Sequence, residues 1–297
     1  YLKAMESNGL DDRYREVYAI NEKIEHYPKD QVQWKINKDK IENDFKNYLL
    51  NIRQKLSYLP EDKIERGIEI VLKIEKNMVS VLGGNFAINK GLPDSKTIAV
   101  KDFKINKFEI SLEEYRFIMN NFNFNNISYH TSSVNDSYGI LRDFKKCVTD
   151  SEEFIKKLNW ITGKSYRLPT DVEWEFAASG GNFSKRYLYS GSNDYNEIAW
   201  YYKNSSGKKY NLNKKFEKVY NDNGEYIEHG KIQRAGLKKP NELELYDMNG
   251  NVSEICVDTN GKYCYKGGSI GDDVTSLQFK RYNNKVGDEI FGFRIAL

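Results

Sequence analysis

Three cysteines and three histidines are the side chains of this 297-residue sequence best suited to redox or metal chemistry. They are Cys147, Cys256, Cys264, His26, His130 and His229. No two histidines have the spacing that would place both imidazoles on one face of a helix, so a histidine-based metal centre is not expected. The odd number of cysteines argues against a disulfide framework. The supply of thiols and imidazoles therefore limits what this chain can catalyse.

Cys256 and Cys264 flank the polar turn at residues 258–261. They would face each other on neighbouring strands, either as a disulfide or as two buried thiols, and buried thiols are favoured. Cys147 follows Lys145 and Lys146, whose charges would lower the pKa of its thiol. An ordinary thiol is nevertheless expected there.

Arg167, Glu173 and Glu175 resemble an acid–base pair beside an arginine. However, residues two apart on a helix point in different directions. A structural ion pair that holds the preceding strand to this helix is therefore expected.

The composition excludes several classes of protein. The 46 basic and 43 acidic residues give a net charge of only +3, so nucleic-acid binding is not expected. No stretch reaches the roughly 20 apolar residues of a membrane-spanning helix. Aromatic residues make up 14% of the chain, enough to bury a core. The sequence begins with Tyr1, so it does not specify whether the protein is cytoplasmic or exported.

The elements that must position these residues change in character near residue 77. Apolar residues recur at helical spacing over residues 10–18, 41–56 and 64–72, which predicts three amphipathic helices. These helices would pack on each other, on the rest of the chain or on a protein partner. We therefore treat residues 1–76 as a helical accessory segment.

Short strands and helices are predicted after residue 77. Residues 78–86 indicate a strand, a turn and a second strand, and residues 103–108 a further strand. Ser111 and Thr170, each followed three residues later by glutamate, predict the starts of two helices. Another helix over residues 154–161 should end near Gly163, and residues 216–232 indicate a β-hairpin.

The order of motifs from residue 78 onward resembles the formylglycine-generating enzyme family, also called the sulfatase-modifying-factor family. The stretches that carry the resemblance are 78–86, 107–115, 167–178 (RLPTDVEWEFAA), 198–205 (IAWYYKNS), 239–254 (with LYDMNGNVSE), 266–269 (KGGS) and 292–296 (GFRIA). The resemblance implies an α+β domain over residues 77–297, with this family's variant of the C-type-lectin-like fold.

The chain departs from the family's enzymes where they carry their metals. The oxidase-type members place two copper-binding cysteines shortly after the Gly-Gly-Ser motif, yet here no cysteine follows Cys264. The sulfoxide-synthase branch uses three histidines to hold iron, and this chain lacks that spacing. Neither copper nor iron is therefore expected. Ser253 and Ile255 also replace two tryptophans of the family, so local packing must differ.

Calcium is the metal that the resemblance does imply. Asp247, Gly250, Val252 and Glu254 resemble the family's calcium loop, in which hard oxygen ligands surround the ion. The resemblance also implies a second site near Asn196 and Glu197. The alternative is a metal-free turn in which Asp247 and Glu254 accept hydrogen bonds from backbone amides.

The segment 270–290 would line the ligand face of such a fold. It also resembles the variable region of diversity-generating-retroelement proteins; the alternative is an ordinary solvated loop. The predicted contact residues are Asp272, Asp273, Gln278, Lys280, Arg281, Tyr282, Asn283 and Asn284, with Trp200 and Tyr202 nearby. Residues of these types are common in contacts with proteins or glycans.

Together these features predict a non-catalytic binding module whose ligand is a protein or a glycan. One alternative is an enzyme that uses a carboxylate centre around Asp272, Asp273 and Glu254. The other is a scaffold subunit that docks on a protein partner through the helices of residues 1–76.

Overall fold

A computed structural model describes residues 31–88, 96–120, 143–201, 203–205, 232–272 and 290–297. The helix predicted over residues 10–18 lies outside this part of the chain, as does nearly all of the hairpin predicted over residues 216–232.

The first two described helices confirm the amphipathic pattern. Helix α1 spans Gln31–Lys55, and helix α2 spans Glu61–Lys76 after the break at Pro60. Phe45, Leu49 and Ile52 follow one another at intervals of four and three residues and are all buried. Each helix therefore presents one continuous apolar stripe.

These stripes pack against the remainder of the chain. The residues they bury belong to the same hydrophobic cluster as Phe154 and Phe293. Glu75 of α2 adds polar contacts, because its Oε1 accepts hydrogen bonds from Lys164 (2.5 Å) and Tyr166 (3.2 Å). Over residues 39–76 the helices therefore pack on the rest of the chain, and they also contact each other through the ion pairs of Arg53 with Glu61 and Glu65.

Four short strands follow α2 and form two separate two-stranded antiparallel sheets. They are β1 (Met78–Val81), β2 (Gly84–Ile88), β3 (Lys96–Val100) and β4 (Phe103–Asn106), with β1 paired to β4 and β2 paired to β3. The strand, turn and strand predicted over residues 78–86 are confirmed. However, the first two strands do not pair with each other, because the chain crosses between sheets at Gly83, whose N–H donates to Asp102 (2.7 Å).

The starts of two further helices were predicted at Ser111 and Thr170 and the end of a third near Gly163, whereas the fourth was not predicted. They are α3 (Leu112–Asn120), α4 (Phe144–Thr162), α5 (Asp171–Ala178) and the short α6 (Tyr195–Ile198). Thr170 and Glu173 form the predicted reciprocal capping box. Helix α4 ends at Gly163, whose φ of 68° is the left-handed conformation that glycine tolerates.

The third sheet carries the family-like signature. Strand β5 (Ser253–Val257) lies between the antiparallel β6 (Tyr263–Lys266) and the parallel β7 (Phe291–Gly292). Ala296, just beyond β7, forms bridges to Ile105 and Arg167. This sheet therefore connects the end of the chain to elements far earlier in the sequence. Among the described residues no helix is long and apolar enough to cross a membrane.

Candidate functional site

Strand β5 divides the interior, because its side chains alternate between two faces. Ile255 packs into the large cluster that contains the helices, whereas Cys256 packs into a second cluster around Trp174. Glu254 shares the face of Cys256 and has no exposed surface. A charged carboxylate in such a place requires strong partners.

Arg294 and Trp174 supply those partners. Arg294 Nε and Nη2 donate to the two oxygens of Glu254, each at 2.5 Å, and Trp174 Nε1 donates to Oε2 at 2.7 Å. Burial alone would lower the pKa of Arg294, but the Glu254 carboxylate raises it. The pair joins the motif that ends at Glu254 to the motif at residues 292–296.

Two more buried polar contacts surround this pair. Lys266 Nζ lies 2.5 Å from Glu175 Oε1, and both side chains are buried. Glu109 accepts hydrogen bonds from the Asn251 side chain (2.6 Å) and the backbone N–H of Val252 (3.3 Å). Within this network, the buried carboxylates hold backbone and side chains in place.

The loop from Asp247 to Val252 has an unusual backbone. Asp247, Gly250 and Asn251 have φ values of 55°, 78° and 58°, in the left-handed region. A side chain at Gly250 would collide with the carbonyl oxygen of Trp200. That oxygen accepts a hydrogen bond from the N–H of Asn251 (2.8 Å), so the loop is held against residue 200.

Asp247 is the carboxylate in this loop that lacks a full set of partners. Its Oδ2 accepts a hydrogen bond from the N–H of Gly236 (2.7 Å), while its buried Oδ1 accepts none. Burial raises the pKa of Asp247 to about 6, against the opposing effects of the Gly236 hydrogen bond and the Arg294 charge. A buried oxygen without a donor is a position that a cation or a proton would satisfy.

The residues predicted to bind calcium differ in how well they fit that ion. Asp247 fits, because its Oδ1 is unpartnered. The Glu254 carboxylate accepts three hydrogen bonds, so only about one of its four acceptor positions remains. The Asn196 amide oxygen accepts from the Tyr201 hydroxyl (3.1 Å). Within the described residues no group of three histidine, cysteine, aspartate or glutamate side chains is arranged to hold a metal.

Trp200 lies beside this loop, because its backbone bridges to Gly250. Its ring is covered by Lys238, whose Nζ is 4.1 Å from the ring centroid. Lys238 also donates to the backbone oxygen of Asn196 (2.7 Å). The indole Nε1 is buried without a hydrogen-bond partner. Tyr202 lies outside the described residues.

Within the predicted ligand segment, the structure describes only the two ends, residues 270–272 and residue 290. Asp272 Oδ2 accepts from the N–H and the hydroxyl of Ser269, at 2.7 and 3.0 Å. At the other end, the carbonyl of Ile290 accepts from the N–H of Ser253 (2.8 Å). Ser253, which replaces a family tryptophan, is fully buried, and its hydroxyl has no hydrogen-bond partner. The predicted contact residues outside the described part are Asp273, Gln278, Lys280, Arg281, Tyr282, Asn283 and Asn284.

The three cysteines are free thiols. Cys256 and Cys264 face each other in the β5–β6 register, as their spacing predicted. Burial raises the pKa of all three thiols, that of Cys264 to about 12. The effect of Lys146 on Cys147 is outweighed by burial. The thiolate form is therefore disfavoured in each case.

Arg167 and Glu173 form the predicted structural ion pair, with nitrogen–oxygen distances of 2.7 and 2.8 Å. Burial opposes ionisation of Glu173, yet hydrogen bonds from Arg167 and Thr170 lower its pKa.

Sequence reasoning missed the roles of Arg294 and Trp174 as partners of Glu254. A glutamate on the inward face of an apolar strand was the available signal, because such a residue requires a buried cation.

Comparison with known proteins identifies the family. The model of the sulfatase-modifying factor enzyme 1-like domain matches residues 71–297, beginning within α2. The chain belongs to this family. The curated protein "Chaperone protein LppX" of Paenibacillus barcinonensis is 30% identical over 206 residues, which are 62% of this chain and 71% of that protein.

Two solved structures share the fold. "Treponema denticola variable protein 1" is 19% identical with a TM-score of 0.52, covering 74% of this chain and 94% of that one. The crystal structure of CarF is 22% identical with a TM-score of 0.51, covering 74% and 97%. The predicted α+β class and the family's fold are thus confirmed.

Proposed function

We propose that this member of the sulfatase-modifying-factor family is a non-catalytic module that binds a protein partner through the face formed by residues 270–290. The observation that carries this proposal is that the Glu254 carboxylate is buried and paired. Its carboxylate is fully buried and held by Arg294 and Trp174. Glu254, the acidic residue of the family-like motif, therefore has a structural role in this protein.

The three cysteine thiols also support a non-catalytic role. An oxidase that acts through cysteines needs thiolates that can bind copper or exchange sulfur. Burial raises the pKa of Cys147, Cys256 and Cys264, which keeps each of them protonated. The sequence after Cys264, where the family's copper-binding pair would follow the Gly-Gly-Ser motif, contains no cysteine.

The curated relative favours a protein ligand over a glycan. That relative is named a chaperone protein, and it matches 62% of this chain. By analogy with this name, the proposed ligand is a polypeptide. Arg281 and Tyr282, at the centre of the segment, are residue types that dominate binding energy in protein interfaces.

One observation favours an enzyme as the second candidate. The pKa of Asp247 is raised to about 6, and perturbed carboxylates are common in active sites. Against this, Glu254 and Asp272 of the predicted carboxylate centre already accept hydrogen bonds from neighbouring groups. A bound calcium ion would account for the unpartnered oxygen of Asp247 equally well, and we propose calcium as a structural ligand there.

The scaffold alternative requires a helical face that is available to a partner. In α1 and α2 the apolar stripes pack against the domain's own core, which argues against docking through residues 39–76.

Binding and oxidation are tested in parallel. The purified chain is screened against displayed random peptides and against a glycan array. Peptides should be enriched, and the double variant Arg281→Ala/Tyr282→Ala should lose them. The matched control Tyr58→Ala replaces an exposed tyrosine on the α1–α2 connection and should retain them.

Two results would overturn the proposal. The first is selective binding to glycans with no peptide enriched. The second is conversion of the cysteine of a test peptide to formylglycine, in air with added copper, detected by mass spectrometry.

A further inference from the structure

Two thiols face each other across the β5–β6 pair. Cys256 and Cys264 are direct partners in the antiparallel register, so their side chains extend from the same face of the sheet. Both belong to the hydrophobic cluster around Trp174, Cys256 as a fully buried member and Cys264 as a partly buried one. Neither takes part in a disulfide bond. The two strands therefore carry the two sulfur atoms side by side.

The hydrogen-bond ladder sets the distance between the two residues. The N–H of Asp258 donates to the carbonyl oxygen of Lys262 (2.7 Å), so these two residues form a hydrogen-bonded pair. Hydrogen-bonded and non-hydrogen-bonded pairs alternate in an antiparallel ladder, and Cys256 and Cys264 lie two positions further along each strand. They are therefore also a hydrogen-bonded pair, in which the Cα atoms are about 5.5 Å apart. A disulfide bond spans Cα distances of roughly 4.4–6.8 Å, so the backbone of this pair can accept one without moving.

The two thiols differ in their access to solvent. Cys264 is partly exposed, so a small molecule in solution can reach its sulfur. Cys256 is fully buried, and its thiol donates a weak hydrogen bond to the carbonyl oxygen of Glu254 (3.7 Å). Cys147, the third thiol, is buried in the other hydrophobic cluster. An external reagent therefore meets Cys264 first, and Cys256 is the thiol positioned to react next.

We infer that Cys256 and Cys264 form a thiol–disulfide site whose oxidant is a low-molecular-weight disulfide such as oxidised glutathione. The Cys264 thiolate attacks the small disulfide, forms a mixed disulfide at its own Sγ and releases one small thiol. The Cys256 thiolate then attacks Cys264 Sγ, which closes the bond between β5 and β6 and releases the second small thiol. Two protein thiols are oxidised, one small disulfide is reduced, and the two thiol protons pass to the released thiols.

This exchange is slow at neutral pH. Burial raises the pKa of Cys264 to about 12, so the reactive thiolate is scarce. The equilibrium between the two forms depends instead on the geometry of the pair and on the surrounding ratio of disulfide to thiol. The reaction is stoichiometric and involves neither copper nor the 270–290 segment. It therefore goes beyond the proposed binding function and is independent of it.

Trypsin reports this bond directly, because it cleaves after Lys262, which lies between the two cysteines. The native chain is incubated for about a day at about pH 8.5 with about 5 mM oxidised glutathione. The reaction is stopped with acid, and the remaining thiols are blocked with N-ethylmaleimide in urea before digestion. Mass spectrometry should find the peptides of Cys256 and Cys264 joined, with two hydrogen atoms lost, in more than about half of the chain. Dithiothreitol should separate them again.

Three variants make the result specific. Cys256→Ala should stop at the mixed disulfide and retain glutathione on Cys264, whereas Cys264→Ala should remain unmodified at Cys256. Cys147→Ala is the matched control, because it removes a buried thiol from the other hydrophobic cluster. It should form the bond between Cys256 and Cys264 as the unchanged chain does. Circular dichroism melting verifies that each variant is folded.

Four results would overturn the inference. The folded chain could yield no joined peptides, or it could keep glutathione on Cys264 while Cys256 stays reduced. Cys147 could replace either cysteine in the bond. Finally, the peptides could become joined only when the chain is oxidised in urea, which would mean that the native strand pairing is not what brings the two thiols together.

Discussion

Replacing Asp247 with asparagine should make the protein more stable at neutral pH when calcium is absent. The folded protein raises the pKa of this carboxyl from 3.8 to about 6. A tenfold change in a proton-binding equilibrium is worth 1.36 kcal/mol, so the rise of the pKa from 3.8 to about 6 corresponds to about 3 kcal/mol. Asparagine keeps an acceptor for the N–H of Gly236 and removes the buried charge.

The pH dependence follows from the direction of the shift. A carboxyl whose pKa rises on folding makes its full contribution to stability below pH 3.8, and that contribution is lost as the pH rises through about 6. The difference in unfolding free energy between Asp247→Asn and the unchanged chain should therefore be small near pH 4. It should grow to about 3 kcal/mol, in favour of the variant, above pH 7.

Urea denaturation in EDTA between pH 4 and pH 8 measures this difference. The other acidic residues affect both proteins alike, so only the difference is interpreted. A difference that stays constant with pH, or one that favours aspartate at pH 8, would refute the account of Asp247. With about 1 mM calcium in place of EDTA, the unchanged chain should gain stability at pH 7–8, whereas Asp247→Asn should gain none.

Three further substitutions test the surrounding structure, each measured by urea unfolding at pH 7. Arg294→Met should cost about 3–5 kcal/mol, because it leaves the Glu254 charge buried and unpaired; a cost below 1 kcal/mol would show that the pair is not buried as described. Gly250→Ala should cost more than ~2 kcal/mol, since a Cβ meets a backbone carbonyl there. The matched Gly261→Ala, with the same left-handed φ but open space, should cost only about 1 kcal/mol. Thr170→Ala removes a helix cap and should cost about 1 kcal/mol; no change would mean that the cap is not formed in solution.

Local features of the fold were predictable from the sequence. The capping box at Thr170 and the helix end at Gly163 depend on neighbours within a few residues, and both were found as predicted. The facing of Cys256 and Cys264 followed from the short turn between them. In each case the deciding interaction joins residues that are close in the chain.

Features that depend on distant residues were missed. The pairing of β1 with β4 was not predicted, because the contact of Gly83 with Asp102 has no local signature in the sequence. The role of Glu254 in holding Arg294 was also missed, since these residues lie 40 positions apart. Sequence patterns identify an inward-facing charge, but they do not identify its partner.

The position of the last strand affects how the chain can fold during synthesis. Phe293 and Ile295, near residue 297, complete the cluster into which α1 and α2 pack, and Ala296 bridges Ile105 and Arg167. Such long-range closure slows folding, and here the core cannot close until these late residues have left the ribosome. Until then the apolar stripes of α1 and α2 lack part of their cover, so nascent chains halted before residue 290 should be aggregation-prone and should depend on cellular holdases.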